Sequence, residues 1–220
     1  MNQRDHYNPK ITTKKYWEKV RSDEPPPKCE FPLYEPISKN LPNESNLSFF
    51  EVGCAPGGIL SEFCYKRKYG NIYQHDFMNW TPTKCYDIVA SFGFIEHFLN
   101  ADEIADKHFA ICKPGGHVII EMPNFAYGQK IIHWLFDRNN LSLHNTKIMS
   151  LDFLARAGKR NDAELLDLAY TGGGFSFWRD ESTKLNWFMT RLMWRTTSIV
   201  EKICCDYGKN LPNKWFSPYL

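Results

Sequence analysis

The sequence has no strong excess of charge of either sign, and this limits the partners that it can bind. Its 220 residues contain 27 Lys and Arg against 25 Asp and Glu, which gives a formal net charge of +2. A protein that binds nucleic acid through phosphates usually has a strongly basic balance or a basic stripe. The short basic clusters KITTKK and YKRKYG are interpreted as solvated faces. The composition therefore disfavours a nucleic-acid partner.

Paired cysteines and long apolar runs are also missing. None of the seven cysteines stands in a C-x-x-C arrangement, and an odd number cannot form a complete set of disulfides. No apolar run approaches the length of a membrane span, and no cleavable signal opens the chain. We therefore expect a cytoplasmic protein, because that compartment keeps thiols reduced.

The order of the predicted elements indicates an α/β fold. Residues 47–125 alternate strand and helix patterns, which is typical of a parallel sheet covered by helices on both faces. Residues 1–46 are polar and rich in proline, so we interpret them as an N-terminal helix and a linker. Residues 126–220 are predicted to form a mainly helical cap together with the remaining strand elements.

Four strand patterns and two helix patterns occupy residues 47–125. The second helix is expected to begin after Asn100 as its N-cap and to stop at residues 113–116. The first helix follows a glycine-rich corner, with Ile59, Leu60 and Phe63 on one face. The strand patterns are LSFFEVG, NIYQHDF, YDIVASFG and HVIIEMP.

Outside this region, the patterns predict mostly helices. A short helix is expected at ISKNL, and a helix at SLDFLARAG. AELLDLAYTGGGFSFW is predicted to hold a strand and then a glycine hinge. A long amphipathic helix is expected over residues 185–204. The helix pattern in FAYGQKIIHWLFDRNN predicts an apolar side made of Ile131, Ile132, Leu135 and Phe136.

The glycine corner after the first strand predicts a ligand site. Gly53, Gly57 and Gly58 form a Gly-x-x-x-Gly-Gly pattern, and glycine lets the backbone turn sharply and approach a ligand closely. The helix that follows offers unpaired N–H groups at the same place. Ligands of open parallel sheets bind beyond the carboxyl ends of the strands. We therefore interpret the corner as part of a cofactor-binding site.

The residues around the corner allow a choice between three classes of cofactor. A phosphate-binding loop needs Lys and Ser or Thr after its last glycine, where this chain has Ile59 and Leu60. The dinucleotide pattern is only partly matched, and Glu51 would repel a pyrophosphate. A cationic ligand is favoured instead. S-adenosyl-L-methionine carries a sulfonium and an ammonium group, so it is attracted by an acid at this position.

The segment EVGCAPGG resembles the first motif of the class I S-adenosylmethionine-dependent methyltransferases, and three further segments follow in that family's order. YQHDF resembles the third-strand motif, YDIVASFGFIEHF the fourth motif, and CKPGGHVIIEMPN the fifth strand. Within them, IEHF is similar to small-molecule O- and N-methyltransferases of the ubiquinone-biosynthesis type. HWLFDRNNLSLHNTKIM resembles an insert of bacterial methyltransferases that act on sugars and surface-polysaccharide precursors.

The resemblance implies a Rossmann-like, mostly parallel sheet flanked by helices, shortened relative to the seven-stranded methyltransferase fold and extended by C-terminal helices. The family's second strand ends in an acid bound to the ribose. Either that unit is missing here, or Asp76 serves as the ribose acid and a later unit is missing; the spacing from Asp76 to Asp87 favours the former, so we expect a shortening near Gly70 and Asn71. Residues 126–220 would form the acceptor site. Cofactor contacts are implied for Glu51, Gly53, Cys54, Ala55, Gly57, Gly58, Asp76, Phe77, Ser91, Phe92 and Gly93, with Trp17 in an N-terminal lid.

Two histidines are the candidate catalytic residues. His97 follows the fourth-motif strand, where an acceptor would meet the methyl group, and histidine titrates near neutral pH. The alternative is a histidine that only hydrogen-bonds the backbone. His144, in the insert, is the second candidate. Glu96 is interpreted as a hydrogen-bond partner or a structural residue.

The remaining titratable residues have structural interpretations. His133 is interpreted as a packing or surface residue of its helix, and Asp87 as a structural acid at a strand start. No metal site is predicted, because metal-ligand spacing with cysteine or acids is missing around His75, His97, His108 and His117.

The predicted function is methyl transfer to an oxygen or nitrogen of a small molecule, with a sugar or surface-glycan precursor as the expected acceptor. CAPGG also resembles ribosomal RNA 2′-O-methyltransferases, but the strand ends lack the lysines of that group, so RNA is ranked second. A degenerate, non-catalytic member is a further alternative, and a NAD-dependent oxidoreductase comes last. The basic, aromatic helix 185–204 is expected to pack in the core, against a partner in a homodimer, or on a membrane surface.

Overall fold

The structure is a computed structural model that describes residues 33–44, 46–53, 59, 77, 82–171, 188, 191, 192, 195, 214, 215, 217, 219 and 220. Several predictions fall outside these residues. They are the N-terminal helix, most of the helix after the glycine corner, the strand NIYQHDF apart from Phe77, and most of the helix 185–204.

The described elements alternate as an α/β protein requires. In chain order they are α1 (Tyr34–Ser38), β1 (Phe49–Val52), β2 (Tyr86–Phe92), a 3₁₀ turn (Ile95–His97), α2 (Ala101–Ala110), β3 (Cys112–Glu121), α3 (Tyr127–Phe136), α4 (Arg138–Ser142) and α5 (Leu151–Arg160). None of the helices described is both long enough and apolar enough to cross a membrane.

The three strands form one parallel sheet in the order β1-β2-β3. The central strand β2 is almost completely buried, as expected for a strand with neighbours on both edges and helices on both faces. Val89 packs in a core with residues of α2 and α5, such as Ile104 and Phe153. Ile88 points to the other face and packs with Tyr34 of α1. The predicted parallel sheet flanked by helices is therefore confirmed.

The boundary between α2 and β3 differs from the prediction. Asn100 stands at the N-cap position, but its side chain donates to Glu103 Oε2 at 2.9 Å and makes no capping bond to the helix. The helix ends at Ala110, and residues 113–116, predicted as its stop, already lie in β3. They belong to a bulged start of the strand, where a Cβ on Gly116 would come within 2.6 Å of the Asp87 carbonyl oxygen.

Helix α3 forms where it was predicted, but the prediction of its buried side was wrong. Ile131 and Leu135 are 59% and 52% exposed, whereas Gln129 and His133 are completely buried. The physical reason is a polar interaction inside the protein. His133 Nδ1 lies 3.1 Å from Asp137 Oδ2, and its ring packs on Phe125 with the centroids 4.1 Å apart. A buried polar pair therefore takes the place of the apolar contact that the periodicity predicted.

Two smaller predictions also need correction. The short helix expected at ISKNL begins earlier, at Tyr34, within the segment interpreted as linker. Residues 163–170, predicted to hold a strand, have no regular structure. Thr171 instead makes a single antiparallel bridge with Tyr219, which also bridges Pro123. The helix predicted at SLDFLARAG is confirmed as α5, and the Ser150 hydroxyl caps it by accepting from the Phe153 N–H.

Asp87 joins the amino ends of all three strands. Its carboxylate accepts hydrogen bonds from the N–H and hydroxyl of Ser48, next to β1, at 2.9 and 2.5 Å. It also accepts from Lys113 Nζ of β3 at 2.8 Å. These bonds, with that of Lys113 first, lower the pKa of Asp87 to about 2. The structural role predicted for this acid agrees with its place at the end of the sheet opposite the glycine corner.

We predict that Asp87→Asn lowers the free energy of unfolding by about 1–2 kcal/mol, the low end for hydrogen bonds to a charged group because the site is partly exposed. A carboxylate whose folded-state pKa is depressed stabilises the protein above its unfolded pKa, and that stabilisation is lost as pH falls through the folded value. Urea unfolding of the wild type should therefore lose stability between pH 4 and 2, and the variant should lose less. Asp102→Asn, at an exposed ion pair, is the matched control. Equal pH slopes in wild type and Asp87→Asn would contradict this role.

Candidate functional site

The carboxyl ends of the strands bring four sequence segments together. β1 ends at Val52 and turns at Gly53, β2 ends at Phe92 and turns at Gly93, and β3 ends at Glu121. Gly53 and Gly93 have φ angles of +79° and +60°, a conformation that side chains other than glycine rarely adopt. Both turns are therefore possible because of glycine. The 3₁₀ turn follows Gly93 directly and supplies the fourth segment.

The glycine corner faces the loop after β2. A Cβ atom on Gly53 would lie 2.4 Å from Phe94 Cδ2, far inside van der Waals contact. The Phe94 ring also packs edge-on against Phe77, with the centroids 5.8 Å apart, and against Phe98. The end of β1 is thus held against the segment that carries the predicted catalytic residues.

Three buried carboxyl groups lie at this end of the sheet. Glu51, Glu96 and Glu121 are at most 8% exposed. The strand register aligns Glu51 with Ala90 and Glu121 with Phe92, so Glu51 and Glu121 share the face of the sheet that carries Phe92. Glu96 follows on the 3₁₀ turn, and its Oε1 lies 3.7 Å from His97 Nε2. A cluster of this kind attracts cations, because an unpaired buried carboxylate is costly.

Burial changes the protonation of two of these acids. Desolvation raises the pKa of Glu121 to about 8, against the opposing effect of the Gly93 N–H. Desolvation, with a smaller contribution from Glu121, raises the pKa of Glu96 well above its ordinary value. In the absence of a cation Glu121 therefore retains its proton near neutral pH, and the pKa of Glu96 is shifted in the same direction. A bound cation would favour their ionised forms.

The fold brings the two predicted catalytic histidines together. The rings of His97 and His144 are 4.7 Å apart between centroids, although 46 residues separate them in the chain. Two hydrogen bonds of Asn145 hold the second segment in place: its N–H donates to the Glu96 carbonyl at 2.7 Å, and its Nδ2 donates to the Phe98 carbonyl at 3.0 Å. The position of His144 is therefore set by the turn that carries His97.

Each of these imidazoles has one nitrogen bound to a backbone carbonyl. His97 Nδ1 lies 3.2 Å from the Leu143 oxygen, and His144 Nδ1 lies 2.7 Å from the Asn140 oxygen. Since a carbonyl only accepts, both Nδ1 atoms carry the proton, and both Nε2 atoms carry a lone pair in the neutral ring. Burial lowers the pKa of His97 to about 4. Burial, followed by the neighbouring His97, lowers the pKa of His144 to about 3. Both rings are therefore neutral at pH 7 and can bind a metal, but their pKa values lie well below the near-neutral range on which the prediction of a general base depends.

The other predicted cofactor residues lie in different places. Phe77 is a core residue that packs against Phe94 and His108. Ser91 is completely buried on the opposite face of the sheet from Phe92, and its hydroxyl has no hydrogen-bond partner. The remaining residues assigned to the cofactor lie outside the described part of the chain: Trp17, Cys54, Ala55, Gly57, Gly58 and Asp76.

Sequence reasoning missed two residues of this region. Glu121 is an acid that ends an otherwise apolar strand, the same signal that drew attention to Glu51. Phe94 gives no comparable signal, because an aromatic residue after a strand is ordinary, and only the contact with Gly53 reveals its place.

A separate groove runs along β3. It has a volume of about 780 Å³ and lies between the strand, α1 and residues 163–169. Neither His97 nor His144 lines it. His97 is buried and His144 is partly buried.

The sequence profile of a family described as "Methyltransferase domain" matches residues 30–168, well over half of the chain. No match was found among curated proteins.

Among solved structures, the similarities are distant. An S-adenosylmethionine-dependent methyltransferase from Clostridium acetobutylicum ATCC 824 is 13% identical, with a TM-score of 0.38 over 53% of this chain and 58% of that one. A coclaurine N-methyltransferase bound to N-methylheliamine and SAH is 16% identical, with a TM-score of 0.36 over 56% of this chain and 42% of that one. The N-methyltransferase NodS from Bradyrhizobium japonicum WM9, in complex with S-adenosyl-L-homocysteine, is 13% identical, with a TM-score of 0.32 over 61% and 81%.

The alignment thus spans about half the length of the first two of these proteins. All three TM-scores are low, so the assignment depends on the profile match, which begins before α1 and ends after α5. That range contains the whole described sheet, the glycine turn at Gly53 and both histidines. On this match, the chain belongs to the methyltransferase domain family.

Proposed function

We propose that the protein transfers a methyl group from S-adenosylmethionine to an oxygen or nitrogen of a small molecule, with a sugar or surface-glycan precursor as the expected acceptor. The observation that carries the proposal is the pairing of a glycine turn with buried carboxyl groups at the carboxyl ends of parallel strands. Ligands of such sheets bind at that edge. Family membership supplies the reaction class.

The donor fits the charge of the site. S-adenosylmethionine brings a sulfonium and an ammonium group, and both are stabilised near carboxylates. Glu51, beside the Gly53 turn, is the acid closest in sequence to the corner and is buried. We assign it to the cationic part of the donor. By their match to the family's motifs, the proposal also assigns Cys54, Ala55, Gly57, Gly58 and Asp76 to the cofactor, with Trp17 as part of a lid.

The acceptor would meet the methyl group near the 3₁₀ turn. Methyl transfer is an in-line displacement, so its rate depends on holding the attacking atom and the methyl carbon close and aligned. His97 and His144 present neutral nitrogens with lone pairs, which can accept a hydrogen bond from an acceptor hydroxyl or amine and orient it toward the methyl group. His97 is buried and His144 is partly buried, which limits the water that would otherwise solvate the attacking atom.

The direct test is a titration followed by a transfer assay. Isothermal calorimetry with S-adenosylmethionine should give one site per chain, and a methyl-labelled donor offered with a panel of sugars, sugar nucleotides, phenols and amines should label at least one acceptor. Single-stranded and ribosomal RNA serve as competing acceptors. Binding without transfer to any acceptor would indicate a non-catalytic member, and the absence of heat and of a thermal shift would contradict the cofactor assignment.

We predict that Gly53→Ala weakens S-adenosylmethionine binding at least tenfold and lowers the melting temperature, because its Cβ would collide with the Phe94 ring at a positive φ angle. Gly115→Ala is the matched control. Gly115 has a φ of +75° but nothing within 4 Å of the added Cβ, and it lies near the start of β3. Calorimetry should therefore show unchanged binding for the control. Equal losses in both variants would assign the effect to backbone strain alone.

We predict that Glu51→Gln weakens S-adenosylmethionine binding about tenfold or more, the size of a hydrogen bond to a charged group. Glu121→Gln should have little effect at pH 7, because the Glu121 carboxyl has a pKa of about 8 and is already mostly neutral there. Calorimetry at pH 7 compares the two variants, with S-adenosylhomocysteine as a second ligand that shares the ammonium group. A larger loss for Glu121→Gln would show that the cationic group rests on β3 instead of β1.

A further inference from the structure

A set of nitrogen and oxygen ligands lies between the 3₁₀ turn and the segment after α4. Glu96, His97 and His144 each offer one ligand atom, and these atoms all lie within 4.8 Å of one another. We propose that these three side chains bind a divalent transition-metal ion of the zinc type. The inference concerns the ion itself and does not require the proposed methyl transfer.

Both histidines are oriented as metal ligands usually are. A ligating imidazole typically donates its second N–H to a carbonyl or carboxylate, which sets the tautomer and the ring orientation. His97 and His144 do so through Nδ1, toward the carbonyl oxygens of Leu143 and Asn140. Their Nε2 atoms are therefore the atoms that would bind the ion.

Glu96 supplies the second, independent observation. Its side chain is 1% exposed, and its Oε2 has no hydrogen-bond partner. Its Oε1 lies 3.7 Å from His97 Nε2, which is too long for a hydrogen bond. A buried polar group without a partner is costly, and an ion that accepts the carboxylate as a ligand removes this cost.

The type of ion follows from the ligands. Two imidazoles and one carboxylate suit zinc and ferrous iron, whereas magnesium and calcium prefer oxygen ligands alone. Zinc sites with two histidines and one glutamate keep a fourth position open for water or substrate. With zinc bonds of 2.0–2.2 Å, tetrahedral ligand atoms are about 3.3 Å apart, so the cluster must contract when it binds the ion. The Asn145 N–H already joins the two segments at the Glu96 carbonyl, which keeps the three side chains near one another.

A purely structural cluster is the competing explanation. His144 also packs edge-on against Phe125, with centroids 4.6 Å apart, as a neutral core histidine would. The two explanations differ in one respect: only a set of metal ligands would bind an added metal ion.

The test uses the full chain, purified without a histidine tag and stripped with a chelator. Calorimetric titration with Zn²⁺ and absorption spectroscopy with Co²⁺ are carried out on the wild type, Glu96→Gln and His144→Gln. His117→Ala is the matched control, because His117 pairs with Ile88 near the amino end of β2, away from the carboxyl ends of the strands. Circular dichroism and melting in the chelator establish that each variant is folded.

We expect one zinc ion per wild-type chain, a cobalt spectrum without sulfur-to-metal charge transfer, and no heat with Mg²⁺. Each cluster variant should lose at least tenfold in zinc affinity, and the His117 control should match the wild type. The absence of zinc binding to the wild type, unchanged affinity in both cluster variants, or a cobalt–sulfur band from the seven cysteines would each overturn the inference. Titration of the same samples with S-adenosylmethionine keeps this outcome separate from a failure of the proposed function.

Discussion

The contact between Gly53 and Phe94 is the constraint on which the arrangement of the site depends. Only hydrogen occupies the space where a Cβ would lie 2.4 Å from the ring. The end of β1 can therefore approach the loop after β2 closely enough to form one site. Phe94 in turn packs on Phe77 and Phe98, so the same ring joins the glycine turn to the hydrophobic core. A larger residue at position 53 would separate the proposed donor site from the histidines that follow Phe94.

The second constraint is the burial of acids at the same edge. Carboxyl groups that are removed from water either retain protons or require cations. The raised pKa values of Glu96 and Glu121 show that the protonated forms are favoured while no cation is bound. Binding of a cationic donor near Glu51, or of a metal ion at Glu96, would release protons and gain attraction in a region of low dielectric. The same residues thus explain why this end of the sheet favours positively charged ligands over phosphates.

Most of the fold could be predicted from the sequence, because it depends on local patterns. The strands β1, β2 and the second half of β3 are rich in apolar residues, as strands covered on both faces require. The bulged start of β3 could not be predicted, because Pro114 and Gly115 resemble a helix stop and only the neighbouring strand makes them part of a ladder. The buried side of α3 was misjudged for a similar reason. Periodicity places Ile131 and Leu135 on one face of α3, but it does not show which face packs against the core. That choice depends on the buried contact between His133 and Asp137.

Individual residues of the candidate site could be predicted from the sequence, but the contacts between them could not. The sequence indicates Glu51, Gly53 and His97 one by one, since each follows or ends a strand pattern. It does not reveal that His144 lies against His97, because spacing along the chain carries no information about residues 47 positions apart. For the same reason, the absence of a local metal-ligand pattern around His97 does not exclude a metal site made by two distant segments.

The buried polar side of α3 also affects how the rings of His97 and His144 are held. The rings of His97, His144, Phe125 and His133 form a continuous series with centroid separations of 4.7, 4.6 and 4.1 Å. His133 is held by Asp137, the N-cap of α4, and His144 by the carbonyl of Asn140 within α4, so this short helix supports both rings. An apolar residue in place of His133 would satisfy the helical pattern but would leave Asp137 buried without this partner. The burial of a polar pair in α3 therefore supports the orientation of His144, which both the proposed catalysis and the proposed metal site require.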